Sequence, residues 1–217
     1  MTNYLATLFA AATLCTAACS AAEPPPGKPA ASRPAAPAPT AHAASALAGP
    51  SPAHYVQAAN TGSLTFSFSQ AGATNTGSFK QFATELNYDE KNLAASSLKV
   101  TVQIGSLATQ DQDRDDTLKG ADLFDAQKFP TAQYAASSLV KTGSGGIEAV
   151  GKLTIRGVTH DLRLPLTIRP GATGVELSGE TTVKRLDYGV GQGDWKSTET
   201  VGDAVKLQYK VPLTRAN

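Results

Sequence analysis

The chain is poor in the residues that usually carry chemistry. Its 217 residues include two cysteines, three histidines, one tryptophan and a single methionine at the start. Both cysteines, Cys15 and Cys19, lie near the N-terminus, so the rest of the chain can hold neither a disulfide nor a cysteine metal site. Its stability must come from a packed core. His42, His54 and His160 are scattered, and no serine stands in a Gly-x-Ser-x-Gly elbow. The nucleophile, base and orienting group of a hydrolase are therefore not assembled, and no catalytic residue or cofactor motif stands out. Charge is balanced as well: 19 Lys and Arg against 18 Asp and Glu give a formal net charge of +1. Beyond residue 53 there are 17 of each sign, which excludes the basic footprint of a nucleic-acid binder. The longest apolar and small-residue run, Tyr4 to Ala18, has 15 residues and is short for a bilayer-spanning helix.

That run reads instead as an export signal. It ends in Thr16-Ala17-Ala18-Cys19, and small residues just before a cysteine resemble a bacterial lipoprotein cleavage box, with Cys19 as the lipidated first residue of the mature protein. Thr16 stands where such boxes usually have Leu, and no Lys or Arg precedes the run, so an ordinary cleaved signal is the alternative. From Ser20 to Ala53, 9 prolines and 13 alanines fill 22 of 34 positions, a composition that cannot offset its ordering entropy. The expectation is a disordered tether with a reach of about 100 Å when extended. Together these features predict a signal at 1–19, a tether at 20–53 and a folded domain at 54–217. The localisation they imply is the bacterial periplasm, with a membrane anchor through Cys19. The sequence leaves the oligomeric state open.

The folded region alternates with a period of two nearly throughout, the pattern of half-buried strands. Leu98, Val100, Val102 and Ile104 share one face; so do Ala149, Gly151, Leu153 and Ile155, then Leu162, Leu164 and Leu166, then Val175, Leu177, Gly179 and Val183, and finally Val205, Leu207, Tyr209, Val211 and Leu213. Upstream, Leu64, Phe66 and Phe68 form another such face. An offset between Phe79 and the series Phe82, Leu86 and Tyr88 predicts a bulge near Lys80 and Gln81. Turns are signalled at Gly143 to Gly146, at Arg156-Gly157 and at Pro170 to Gly174, so most neighbours should form antiparallel hairpins. The expected fold is all-β: an eight-stranded antiparallel barrel, with a sandwich as the competing arrangement. The two long connections, Gly105 to Thr131 and Leu186 to Gly202, would lie over a barrel end. A barrel of this size is either filled by side chains or holds one small ligand. The small Ala149, Gly151 and Gly179 on the inward face favour the second outcome.

The segment Thr109 to Pro130 departs from alternation. Asp111, Asp113, Arg114, Asp115 and Asp116 are followed by Leu118, Leu123, Phe124, Phe129 and Pro130 as anchors. This predicts a short helical lid capped by an Asp in the 113–116 run, with Arg114 paired to neighbouring carboxylates such as Asp113 and Asp115. A calcium loop is excluded because Asp116 occupies the sixth position, where glycine is needed, and no helix pattern precedes it. Gly189-Val190-Gly191-Gln192-Gly193 has the glycine spacing of a phosphate loop but no helix follows, so it reads as an ordinary loop with Trp195 as a packing anchor.

Several of these segments carry a family resemblance. Gly77-Ser78-Phe79, Arg114-Asp115-Asp116-Thr117-Leu118, Leu123-Phe124-Asp125, Phe129-Pro130, and Gly151-Lys152-Leu153-Thr154-Ile155-Arg156-Gly157-Val158-Thr159 resemble the bacterial YceI-like family of polyisoprenoid-binding proteins. Arg185-Leu186-Asp187-Tyr188-Gly189 resembles that family's later Arg-x-Asp-Phe-Gly element, with Tyr for Phe. The resemblance spans Tyr55 to Leu213. It implies a lipocalin-like barrel whose elongated apolar interior takes a long isoprenoid, such as a polyprenyl phosphate or a quinone tail, in an exported protein. The ligand wall it suggests comprises Leu64, Phe66 and Phe68; Leu98, Val100, Val102 and Ile104; Gly151, Leu153 and Ile155; Leu162 and Leu164; with Phe124 from the lid. Arg114 and Asp115 are lid or head-group residues. Gln70 stands where many members have His. The competing readings are a tethered interaction module with a filled core and, less supported, a hydrolase-type enzyme.

Overall fold

The computed structural model describes residues 52–216, apart from residue 172; the expected signal, the lipidation site Cys19 and nearly all of the tether lie outside the described residues. Eleven strands and one α-helix follow in order: β1 Ala53–Gln57, β2 Ser63–Gln70, β3 Ala73–Phe79, β4 Phe82–Tyr88, β5 Ser97–Gln103, β6 Leu107–Ala108, α1 Gln112–Lys119, β7 Thr131–Lys141, β8 Ile147–Ile155, β9 Val158–Pro170, β10 Gly174–Lys184 and β11 Ala204–Arg215.

These form a closed antiparallel barrel of eight walls. β1 and β2 are successive halves of one wall, because both pair with β11, and β3 and β4 are successive halves of the next, because β3 pairs with β2 and β4 with β1. The ring then runs β4-β5-β7-β8-β9-β10-β11 and returns to β1. The expected irregularity at Lys80 and Gln81 is where the third and fourth strands part. There the Lys80 N–H donates to Ser106 O at 3.1 Å and the Gln81 N–H to Ser106 Oγ at 3.0 Å. Between β8 and β9 the turn is Arg156-Gly157, with φ of 51° and 75°. Two central residues at positive φ make the primed turn whose twist matches the strands it joins, directly after the Ile155↔Val158 rung.

Two departures from regular pairing shape the wall. A bulge in β7 between Ala136 and Ser138 shifts the register against β8, so the inward series changes from Ala132, Tyr134 and Ala136 to Leu139. The second departure is a seam between β9 and β10, whose ladder has only four rungs, from Val175↔Pro170 to Ser178↔Thr167. Beyond them residues 158–166 pair with β8 alone and residues 179–184 with β11 alone. Pro165 has no N–H to give the ladder. The seam is bridged instead by side chains: the Tyr209 hydroxyl donates to Pro165 O, and His160 Nε2 to Asp187 O at 3.0 Å, with the His160 ring edge-on to Tyr188.

The long connections cap one end. In the first, α1 is capped by Asp111, whose side chain accepts from the Arg114 N–H at 3.1 Å. The cap thus lies just ahead of the expected 113–116 run, and Asp113 and Asp115 sit in the first turn, where the helix dipole favours anions. The second connection docks on the first through Asp122 O, which accepts from the N–H groups of Gly191 at 3.0 Å and Gln192 at 2.7 Å. The opposite end is filled by Leu86, Leu98, Leu139, Leu177 and Leu213, all essentially without exposed surface.

Candidate functional site

Inside the barrel lie two apolar chambers. The lid-end chamber has a volume of 130 Å³ and is lined by Leu64, Phe66, Phe68, Phe79, Val102, Ile104, Leu118, Phe124, Ile155, Val183, Tyr188, Val190 and Val205, among others. The far chamber has a volume of 100 Å³, with walls that include Phe82, Thr84, Leu98, Val100, Tyr134, Leu162, Leu164, Leu177, Tyr209 and Val211. Leu64, Val102, Ala132, Leu153 and Leu207 belong to both, so the chambers adjoin at a waist formed by these residues, of which Ala132 is the smallest. Each is comparable with apolar cavities of about 150 Å³ that stay dry and take up small hydrocarbons. Arg185 is the one charged residue in either lining.

Why the cavity lies here follows from where the large polar rings go. Gly179 stands opposite Tyr209 on β11, and an added Cβ would run into that ring. Tyr134 reaches across to donate its hydroxyl to Ala149 O at 2.9 Å and Leu162 O at 3.1 Å. The room expected from the small inward residue Gly179 is therefore taken by a tyrosine, and the free space lies between aliphatic and aromatic walls to either side of the waist. Burial raises the pKa of the phenols of Tyr134 and Tyr209, with a further push on Tyr209 from Tyr134, so both are neutral donors.

Gly151 lines neither chamber, which corrects the expectation that it opens the interior. It stands opposite Ala136 at the β7 bulge, where a Cβ would lie 2.7 Å from Ala136 Cα and closer still to Ala135 O. Its lack of a side chain serves the close approach of two backbones, and inward parity alone could not reveal the bulge on the partner strand. The other expected wall residues all line one chamber or both: Leu64, Phe66, Phe68, Val102, Ile104, Phe124, Leu153 and Ile155 at the lid end, and Leu98, Val100, Leu162 and Leu164 at the far end.

A groove of 260 Å³ forms the mouth, lined by Phe68, Gln70, Asp111, Asp113, Arg114, Thr117, Leu118, Leu123, Trp195 and Val201. It shares Phe68, Leu118 and Val201 with the lid-end chamber. Arg114 pairs here with Asp111 at 3.5 Å, not with Asp113 or Asp115, and both partners are substantially exposed. Asp115 turns the other way. It is buried and accepts from both the N–H and the hydroxyl of Thr109 at 2.7 Å. The residue that staples the lid is thus Asp115, while Arg114 stands at the mouth, and two neighbours in sequence serve different faces of one helical turn.

Sequence reasoning also missed the clamp on the second connection. Arg185 is 5% exposed and gives its N–H groups to carbonyls alone: Gly202 at 3.1 Å, Val190 at 2.9 Å, Val201 at 2.7 Å and Ser197 at 3.4 Å. Burial lowers its pKa and the neighbouring Asp203 opposes that shift. A signal was present in the sequence, because Arg185 lies two residues beyond Val183 and so continues the inward series of Leu177, Gly179, Thr181 and Val183 with a charge.

The model of the YceI-like domain matches residues 55–213. The chain belongs to the YceI-like family. BcnA of Burkholderia cenocepacia superposes with a TM-score of 0.66 at 27% identity, covering 69% of this chain and 94% of that one. A UPF0312 protein of Vibrio cholerae is 32% identical over 124 residues, 52% of this chain and 64% of that protein; the chain thus spans a little under two thirds of that relative's length. A polyisoprenoid binding domain from Saccharophagus degradans shares the fold with a TM-score of 0.59 at 15% identity, covering 76% of this chain and 99% of that one. None of the three is named for a catalytic activity.

Proposed function

We propose that this YceI-like barrel binds an isoprenoid lipid with an uncharged head group and carries or sequesters it in the cell envelope. The observation that carries this reading is the pair of adjoining apolar chambers, which share a waist of five wall residues and hold no free charge. A polyisoprene is apolar along its length and buries best in such a tunnel. The name of the Saccharophagus domain is consistent with this reading. Of the two head groups considered, the phosphate fits less well. Asp111 and Asp113 flank Arg114 at the mouth, Arg114 is already paired with Asp111, and Arg185 spends its donors on carbonyls. A phosphate would meet like charge at the mouth, and within it would find only Arg185, whose N–H groups are already given to carbonyls.

The filled-core alternative is tested by plugging the waist. Organic extracts of the natively purified protein should contain an isoprenoid by mass spectrometry. Ala132→Phe, which sets a ring between the two chambers, should fold with unchanged far-ultraviolet circular dichroism and yield none. A parent extract without isoprenoid, combined with no uptake of a labelled polyprenyl compound by the delipidated protein, would overturn the reading. Its placement in the envelope rests on the export signal and Cys19: Cys19→Ala should shift the protein from the detergent phase to the aqueous phase, and equal partitioning would refute lipid anchoring.

A further inference from the structure

The far chamber contains one fully buried polar group that the protein leaves without a partner. Tyr134 and Tyr209 both give their hydroxyls to backbone carbonyls, and Thr181 is only half-buried beside the seam. Thr84 differs. It is 2% exposed, lines the chamber, and its Oγ1 is buried with no hydrogen-bond partner. It stands opposite Val100 on β5, which stands opposite Tyr134 on β7, so the residue sits in a largely apolar wall. On the same face of β4 its neighbours are Phe82 and Leu86. A buried hydroxyl left unpaired is destabilising, and native proteins rarely keep one without a use. The other buried oxygen without a partner among the described residues is Gln57 Oε1, one rung beyond Val56↔Glu85 on β1, so a water bridging the two is the competing occupant, which the ligand-free melting temperature below decides.

We propose that Thr84 is the anchor for an uncharged oxygen of the bound lipid, a hydroxyl or carbonyl at the innermost end, so that the isoprenoid enters oxygen-first and its chain runs back through the waist towards Trp195 at the mouth. This rests on the isoprenoid reading above. The chemistry of the chamber selects the class of oxygen. A single hydroxyl can pair with one neutral acceptor or donor, whereas an ionised phosphate would be stranded there without a cation. A plain hydrocarbon end would fill the same space and leave Thr84 unpaired.

The test uses the delipidated full-length protein with two probes: geranylgeraniol, and the hydrocarbon of the same chain without the hydroxyl. Binding is followed through the emission of Trp195, the single tryptophan. The parent and Thr84→Ser should hold the alcohol about tenfold more tightly than the hydrocarbon, the size of one neutral hydrogen bond formed out of water. Thr84→Val, which keeps the shape and removes the hydroxyl, should lose the preference and hold the alcohol no more tightly than the hydrocarbon, because the ligand's oxygen is then the one buried unpaired, and without ligand it should melt at or above the parent temperature. A preference for the alcohol that survives in Thr84→Val would place the oxygen elsewhere and overturn the proposal. A lower melting temperature of ligand-free Thr84→Val would do the same, by showing that the hydroxyl already has a partner. If the parent takes up the hydrocarbon without preferring the alcohol, the anchor fails and the isoprenoid reading stands; if it takes up neither, both fail.

Discussion

Replacing Arg185 should loosen the second connection over the barrel end while leaving the strands intact. Its guanidinium holds Gly202, Val190 and Val201 at 2.7–3.1 Å and Ser197 at 3.4 Å, so one side chain spans most of the connection. Hydrogen bonds to a charged group contribute about 1.5–3 kcal/mol each. They do not simply add here, because burying the guanidinium without a carboxylate partner carries a desolvation penalty that Arg185→Ala would relieve. What remains is the exposure of three well-bonded carbonyls to an emptied site, which places the net loss at about 3–5 kcal/mol. With a urea dependence of about 2 kcal/mol per molar for a small domain, the unfolding midpoint should fall by roughly 2 M. Trp195 lies on the clamped connection and packs half-buried against the barrel core, so its emission should shift to the red before the barrel unfolds. Arg185→Lys keeps the charge but offers a single compact ammonium in place of a planar fork, and should fall between the parent and Arg185→Ala. An Arg185→Ala protein whose midpoint and Trp195 emission match the parent would refute the clamp.

The alkaline limit of stability should be set by the two inward phenols. Tyr134 and Tyr209 have pKa values raised above 10.0 in the fold, so the folded state holds those protons more tightly; stability is intact below about pH 10 and falls as the pH rises beyond it. Tyr134→Phe and Tyr209→Phe should each flatten that fall in denaturation midpoints measured from neutral to strongly alkaline pH, and a parent curve flat throughout would contradict the assignment. In the lid, Asp115→Ala should lower stability by about 1–3 kcal/mol by stranding the Thr109 N–H, while Arg114→Ala should change it by less than about 1 kcal/mol. Equal effects in calorimetry would refute that division of roles. Gly151→Ala should destabilise by about 3 kcal/mol, because its Cβ meets the β7 backbone and not a side chain that could swing aside. An unchanged melting temperature would mean that the bulge can absorb it.

Much of the barrel was legible because burial in a sheet writes itself into the sequence with a period of two. Leu162, Leu164 and Leu166 on β9 and Val205 to Leu213 on β11 announce which face turns inward, and Arg156-Gly157 announces the turn before β9. What periodicity cannot carry is register against a neighbouring strand. Gly151 read as an inward gap because the bulge that makes it a backbone contact lies in β7, some 15 residues away in the chain, at Ala136↔Gly151. Side-chain direction within the lid was equally hidden. Asp111, Arg114 and Asp115 are near neighbours in sequence, and only the docking of α1 decides that Arg114 reaches the mouth while Asp115 is buried under Thr109. Thr84 was readable as a polar residue between Phe82 and Leu86 on an inward face, but that its hydroxyl goes unpaired depends on where the surrounding phenols find their carbonyls.

A ring of strands hydrogen-bonded all the way round is a hoop of fixed girth, since widening it means breaking a ladder. This barrel is closer to a clasped cuff. Along residues 158–166 and 179–184 the two edges meet without rungs and are fastened by Tyr209 to Pro165 and by His160 to Asp187. Spreading them would release two side-chain bonds and no strand pairing, so the girth of the interior can follow the thickness of what it holds.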